Sequence, residues 1–220
     1  PDWEVTPAGP FNHWPTGMGF DYFYGYIGGA TNAFVPELYE NMTPVEVPLG
    51  KPGYYIETDL ADHAIEWIQT QKRIYPDRPF FMHYAPLATH APNQAPCEWV
   101  ERFRGKFDMG WDKLREESFA RQKRLGIIPA DAQLTPRPSV IPAWDSLSAE
   151  EKQVAARLME ANAAQLAYSE AQVSRILDAL AAMGQLDNTM VVLTADNGAS
   201  GEGGLNGTTN DIGRLNGKQT

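Results

Sequence analysis

The chain reads as an α/β protein with a mainly parallel sheet flanked by helices. Two observations predict this. Phe80–Tyr84 and Thr189–Thr194 are short apolar runs without polar alternation, as strands buried on both faces are. Between them lie helical patterns, and the order strand, excursion, helix, strand is the grammar of a parallel crossover. In such sheets ligands bind beyond the carboxyl ends of the strands. His90 follows the first run, and Asp196 with Asn197 follows the second.

The elements follow in chain order. The first fifty-odd residues mix glycines (Gly17, Gly19, Gly25, Gly28, Gly29) with aromatics (Phe20, Tyr22, Phe23, Tyr24, Tyr26). Glycine breaks helices and aromatics favour extended, packed chain, so short strands and loops are expected. From Thr58 to Arg73 the pattern is helical. Leu60, Ala61, Ala64, Ile65 and Ile68 fall on one face. Thr58 is the expected cap, Asp59 and Asp62 suit the positive end of the helix dipole, and Lys72 and Arg73 suit the negative end. Pro76 forbids continuation.

After the first apolar run, Cys97–Phe103 and Trp111–Arg124 read as helices. Ile127–Ala143 carries four prolines and reads as an irregular surface crossing. Ser148 and Glu151 have the spacing of a capping box. The helix they open is expected to reach Met183 and to stop at Gly184. Its buried face is expected to include Val154, Leu158, Ala161, Tyr168, Ile176, Leu180 and Met183.

Composition narrows the function classes. The 220 residues are 43% apolar, enough for a sizeable core and for one large or two small domains. A net charge of −10 argues against holding a nucleic-acid backbone. One cysteine excludes an internal disulfide framework and a multi-cysteine zinc site. No apolar run approaches the ~18 residues of a membrane span. No signal segment is visible. The chain starts at Pro1 and stops at Thr220 within a Gly/Asn-rich stretch, so residues 1–220 read as a piece of a longer protein, truncated at both ends.

Asp196 and Asn197 offer one carboxylate and one amide oxygen, the donors that hard cations such as Ca²⁺ prefer. Asp-Asn-Gly is equally an ordinary turn. His90, in Ala88-Thr-His-Ala-Pro92, has the chemistry to bind an anion or move a proton near neutral pH. A lone loop histidine is also often structural. His83 is expected in the core, and His13 and His63 at the surface or in structural roles. Cys97 has no evident activating base and reads as inert. The glycine-rich tail lacks the strand–GxGxxG–helix order and a Walker lysine, so it reads as a loop near the site.

Together these segments resemble the formylglycine-dependent sulfatases. Thr189–Ser200, with its Thr-Ala-Asp-Asn-Gly-Ala-Ser end, resembles that family's second metal-binding segment, with Leu186-Asp-Asn-Thr-Met leading into it and Glu202-Gly-Gly-Leu-Asn-Gly after it. Phe80–Pro92 resembles the strand leading to an active-site histidine. Gly19-Phe-Asp-Tyr-Phe-Tyr-Gly25 resembles a Gly-Phe-Asp-x-Phe-x-Gly segment. The resemblance covers nearly the whole chain in order, and the nearest group is the larger bacterial arylsulfatases. It implies an alkaline-phosphatase-like α/β fold and hydrolysis of small-molecule or sugar sulfate esters with one divalent cation, usually calcium. It implies that Asp196 and Asn197 are metal ligands and that His90 contacts the sulfate or the leaving group. It implies a formylglycine nucleophile, expected upstream, because no Cys/Ser-x-Pro-x-Arg motif occurs here and Cys97 is followed by Glu98-Trp-Val-Glu101. The early aspartate pair and Gly-Lys-x-His segment of the family are also absent, and Lys218 has no context that marks it as the late active-site lysine. Periplasmic or secreted localisation is a family expectation. Two other functions compete: a phosphodiesterase or phosphonate hydrolase on the same fold, and a non-catalytic binding relative.

Overall fold

The computed structural model describes residue 6, residues 8–28, 31–47 and 52–195, and residue 201. Its N-terminal part is, as expected, short strands and loops. β1 (Tyr24–Gly25), β2 (Leu38–Glu40) and β3 (Thr43–Val45) form one antiparallel sheet in that order. Glu40 pairs with Thr43, leaving Asn41-Met42 as a two-residue hairpin loop. Asn41 takes φ 57°, a left-handed conformation that asparagine tolerates. It also ties the hairpin to β1, because Asn41 N donates to Phe23 O at 2.8 Å and Phe23 N donates to Asn41 Oδ1 at 3.0 Å.

α1 (Ile56–Ile74) buries Leu60, Ala61 and Ile68 along the predicted face. The predicted cap is not used. Tyr55 precedes the helix without a side-chain cap, and the Thr58 hydroxyl instead pairs with Tyr168 Oη at 2.6 Å. A hydroxyl within reach of a distant partner is lost to local capping. α4 (Ala149–Ala182) opens on the capping box as predicted. Glu151 N donates to Ser148 Oγ at 3.2 Å, and Ser148 N donates to Glu151 Oε2 at 2.8 Å. It closes with Met183 as its cap and Gly184 at φ 66°. The two helices run in the same sense, since Thr58 meets Tyr168, Asp62 meets Arg175, and Ile68 clusters with Ile176 and Leu180.

The predicted parallel sheet is not seen among the described residues. Among the described residues all strand pairing is antiparallel and lies in β1–β3. Phe80–Tyr84 runs without a ladder partner among those residues. Its side chains still alternate. Phe80, Met82 and Tyr84 pack against the α1–α4 core, while Phe81 and His83 point outward. The segment therefore has the two-residue period of a strand with one face covered. His83 is accordingly exposed, not in the core. Met190, Val191, Val192 and Leu193 are 88, 55, 76 and 93% exposed, which overturns the expected burial of Thr189–Thr194. Apolar character marks a segment suited to a sheet interior, but burial requires neighbouring strands, and none flanks it among the described residues.

The excursion between these segments holds α2 (Cys97–Glu101) and α3 (Gly110–Arg124), close to the predicted helices. Val100 of α2 and the preceding Ala95 pack on α4 at Ala164. The irregular crossing returns along α3. Trp144 N donates to Asp112 Oδ2 at 2.9 Å, Arg137 pairs with Asp112 at 3.0 Å, and the Trp111 and Trp144 rings meet edge-on at 4.9 Å.

Candidate functional site

His90 sits in a turn just beyond the carboxyl end of the extended Phe80–Tyr84 segment. Its N–H donates to Leu87 O at 3.0 Å and closes the turn. Its Nδ1 lies 2.6 Å from Ala91 O. A carbonyl only accepts, so Nδ1 carries the hydrogen and Nε2 carries the lone pair of the neutral ring. The ring is half-buried.

Three parts of the fold grip this loop. Glu57, in the first turn of α1 and wholly buried, accepts from Leu87 N at 2.7 Å and Ala88 N at 3.2 Å through one oxygen, Oε1. From α4, Gln165 Nε2 reaches His90 O at 3.5 Å, and Asn162 Nδ2 donates to Asn93 Oδ1 at 3.0 Å. From the N-terminal part, Ala33 N donates to Gln94 Oε1 at 2.7 Å. Tyr55 Oη donates to Gln94 O at 2.6 Å. An irregular segment must satisfy its backbone groups somewhere, and here side chains supply the partners.

Buried polar side chains recur along α4, and Gln165 among them reaches the loop. α4 buries Glu160, Gln165, Ser169 and Gln172 as well as Ile176 and Leu180, while Val154 of the predicted face is exposed. Glu57 Oε2, Tyr84 Oη, Gln165 Oε1 and Ser169 Oγ are buried without a hydrogen-bond partner among the described residues. Burial pushes the Glu57 carboxyl above its ordinary range. The nearby Ser169 hydroxyl, although not at hydrogen-bonding geometry, and the Leu87 and Ala88 amides pull it part of the way back. Burial likewise pushes the Tyr84 phenol up, and the Glu57 charge adds to this. Glu57 and Gln165 escaped the sequence reading, although helical spacing carries the signal. Glu57 is four residues before Ala61 and eleven before Ile68, on the buried stripe of α1.

The remaining candidates divide clearly. His63 is structural as expected, stacked on Tyr24 at 3.5 Å with its Nδ1 3.3 Å from Asp59 Oδ1. Cys97 is exposed. Asp196, Asn197, Lys218 and nearly all of the glycine-rich tail lie outside the described residues, so their placement relative to His90 is not described. Among the described residues no group of three or more His, Cys, Asp or Glu side chains converges as a metal site. No described helix is long and apolar enough to cross a membrane.

Comparison with known proteins extends the picture beyond these residues. The family described as Sulfatase matches residues 3–219. An uncharacterized sulfatase of Schizosaccharomyces pombe is 32% identical over 203 residues, covering 86% of this chain and 36% of the relative. An arylsulfatase of Klebsiella aerogenes is 30% identical over 195 residues, covering 84% of this chain and 41% of the relative. The uncharacterized sulfatase YdeN of Escherichia coli is 28% identical over 193 residues, covering 87% of this chain and 25% of the relative. The chain thus spans less than half the length of each.

Proposed function

The chain belongs to the sulfatase family, and from that premise we propose that it forms part of a hydrolase of sulfate monoesters, of the arylsulfatase kind, assisted by one divalent cation. The observation that carries this is the family match across residues 3–219. His90 is the residue of this chain assigned to the chemistry. Nδ1 donates to Ala91 O, which makes Nε2 the ring nitrogen assigned to the ester. As imidazolium it donates to a sulfate oxygen or to the ester oxygen that departs, offsetting negative charge as the S–O bond breaks. Its fixed turn lowers the cost of orienting it.

Asp196 and Asn197 are the residues proposed to hold the cation. One carboxylate and one amide oxygen fit the preference of calcium for hard oxygen donors. Calcium needs about six such ligands, so the remainder must come from elsewhere. When bound, the ion neutralises charge on the sulfate oxygens. No residue here fits the formylglycine precursor: Cys97 lacks the x-Pro-x-Arg context and lies exposed in α2.

The test uses the full-length protein. It is expected to release 4-nitrophenol from 4-nitrophenyl sulfate, to lose that activity on chelation and to regain it with calcium. Asp196→Ala is expected to weaken calcium binding in calorimetry. Hydrolysis of bis(4-nitrophenyl) phosphate in preference to the sulfate would instead support phosphodiester chemistry. Undiminished calcium affinity in Asp196→Ala would show that Asp-Asn-Gly is an ordinary turn.

A further inference from the structure

We infer that Glu57 is a positioning residue for His90, setting the imidazole for sulfate-ester hydrolysis through the backbone of the Leu87–His90 turn. The inference rests on the role proposed for His90. The path is short and continuous. Glu57 Oε1 accepts from two successive amides, Leu87 N at 2.7 Å and Ala88 N at 3.2 Å. The carbonyl of Leu87 accepts from His90 N at 3.0 Å. One side chain therefore fixes the start of the turn, and the turn fixes the backbone from which the imidazole projects.

The environment of Glu57 argues that this is its task. The side chain is wholly buried, with Tyr26, Tyr55 and Tyr84 close enough to sense its charge. A buried carboxylate is costly to keep unless hydrogen bonds hold it. A neutral or apolar residue would fit the α1 stripe of Leu60, Ala61 and Ile68 at less cost. No cation pairs with Glu57 among the described residues; its hydrogen-bond donors there are the two loop amides. Among the described residues, what the carboxylate holds by hydrogen bonds is the backbone of residues 87 and 88. Gln165, also wholly buried, reaches the carbonyl at the other end of the turn at 3.5 Å, a weaker grip on the same backbone.

A double-mutant cycle in the full-length protein separates positioning from bulk stability. Glu57→Asp keeps the charge but withdraws the oxygens by about 1.5 Å, one carbon–carbon bond. Glu57→Gln keeps an acceptor oxygen at full reach. Turnover of 4-nitrophenyl sulfate and of unsubstituted phenyl sulfate is measured well below the melting midpoints. Glu57→Asp is expected to lower kcat about 10- to 100-fold, as a displacement of about 1 Å does in a positioned catalytic group. Glu57→Gln is expected to restore most of it. The key outcome is the combination: in His90→Ala, adding Glu57→Asp is expected to lower kcat no further. If His90 assists the leaving group, the Glu57→Asp loss is also larger for phenyl sulfate, which departs less readily. A Glu57→Asp enzyme with full kcat overturns the inference. So does a loss that multiplies with that of His90→Ala, which marks a structural role. If the wild-type protein hydrolyses neither sulfate, or His90→Ala is fully active, the proposed role of His90 fails first and this inference with it.

Discussion

Gly110→Ala tests whether the excursion between residues 97 and 147 packs as described. Gly110 heads α3 at φ 78°, where an L side chain costs about 1–2 kcal/mol. A Cβ there would also sit 2.5 Å from Trp144 Cδ1 and closer still to Cγ and Cδ2. The Trp144 ring is buried and braced edge-on by Trp111, so it has little freedom to retreat. Overpacking of this kind costs about 1–3 kcal/mol. The sum is about 2–5 kcal/mol. Gly126→Ala is the matched control. Gly126 follows the other end of α3 at φ 68°, and nothing lies within 4 Å of its Cβ position. It carries the backbone cost alone, and the unfolded-chain gain from adding a methyl is common to both. The difference between the two variants isolates the Trp144 clash, at about 1–3 kcal/mol or about 2–12 °C in melting midpoint. Urea and thermal unfolding followed by tryptophan fluorescence measure both. Equal losses would refute the packing of Trp144 on Gly110.

Two further outcomes follow from single interactions. Ser148→Ala removes the acceptor for Glu151 N and is expected to cost about 1 kcal/mol in urea unfolding; no loss would mean that the capping box does not hold α4. Glu57→Gln is expected to gain stability relative to wild type as pH rises. The folded carboxyl lies above its ordinary 4.5, so the wild-type contribution is complete below that value and is lost as pH rises through the folded one. The amide has no such loss, and melting midpoints across pH 4–8 that show a constant or shrinking gap would contradict the raised Glu57 pKa.

What could be read from the sequence was local. Ser148 and Glu151 stand three residues apart, and the chemistry of a capping box needs nothing else. The α1 stripe and the Gly184 stop are of the same kind. What could not be read depends on distant partners. Thr58 looked like a cap, but the Tyr168 hydroxyl, 110 residues away, claims it. Phe80–Tyr84 was legible as extended chain, but not which of its faces is covered: Phe81 is as apolar as Phe80, yet it is 77% exposed. Glu57 reads locally as an acidic residue suited to a helix N-terminus. Its burial is set by loop amides 30 and 31 residues further on. His90 was legible as a candidate because it follows an extended segment, whereas the grip that orients it came from side chains on two helices.

In the proposed function, His90 serves the hydrolysis of a sulfate ester from a turn the fold holds in place. The most direct measurement compares wild-type and His90→Ala full-length protein for turnover of 4-nitrophenyl sulfate, with melting midpoints taken on the same samples. Loss of a positioned proton-transfer group is expected to lower kcat about 10²- to 10⁴-fold while the melting midpoint stays within about 3 °C, a change of about 1 kcal/mol. Undiminished turnover in His90→Ala, or a loss of activity matched by collapse of the melting midpoint, would contradict the account.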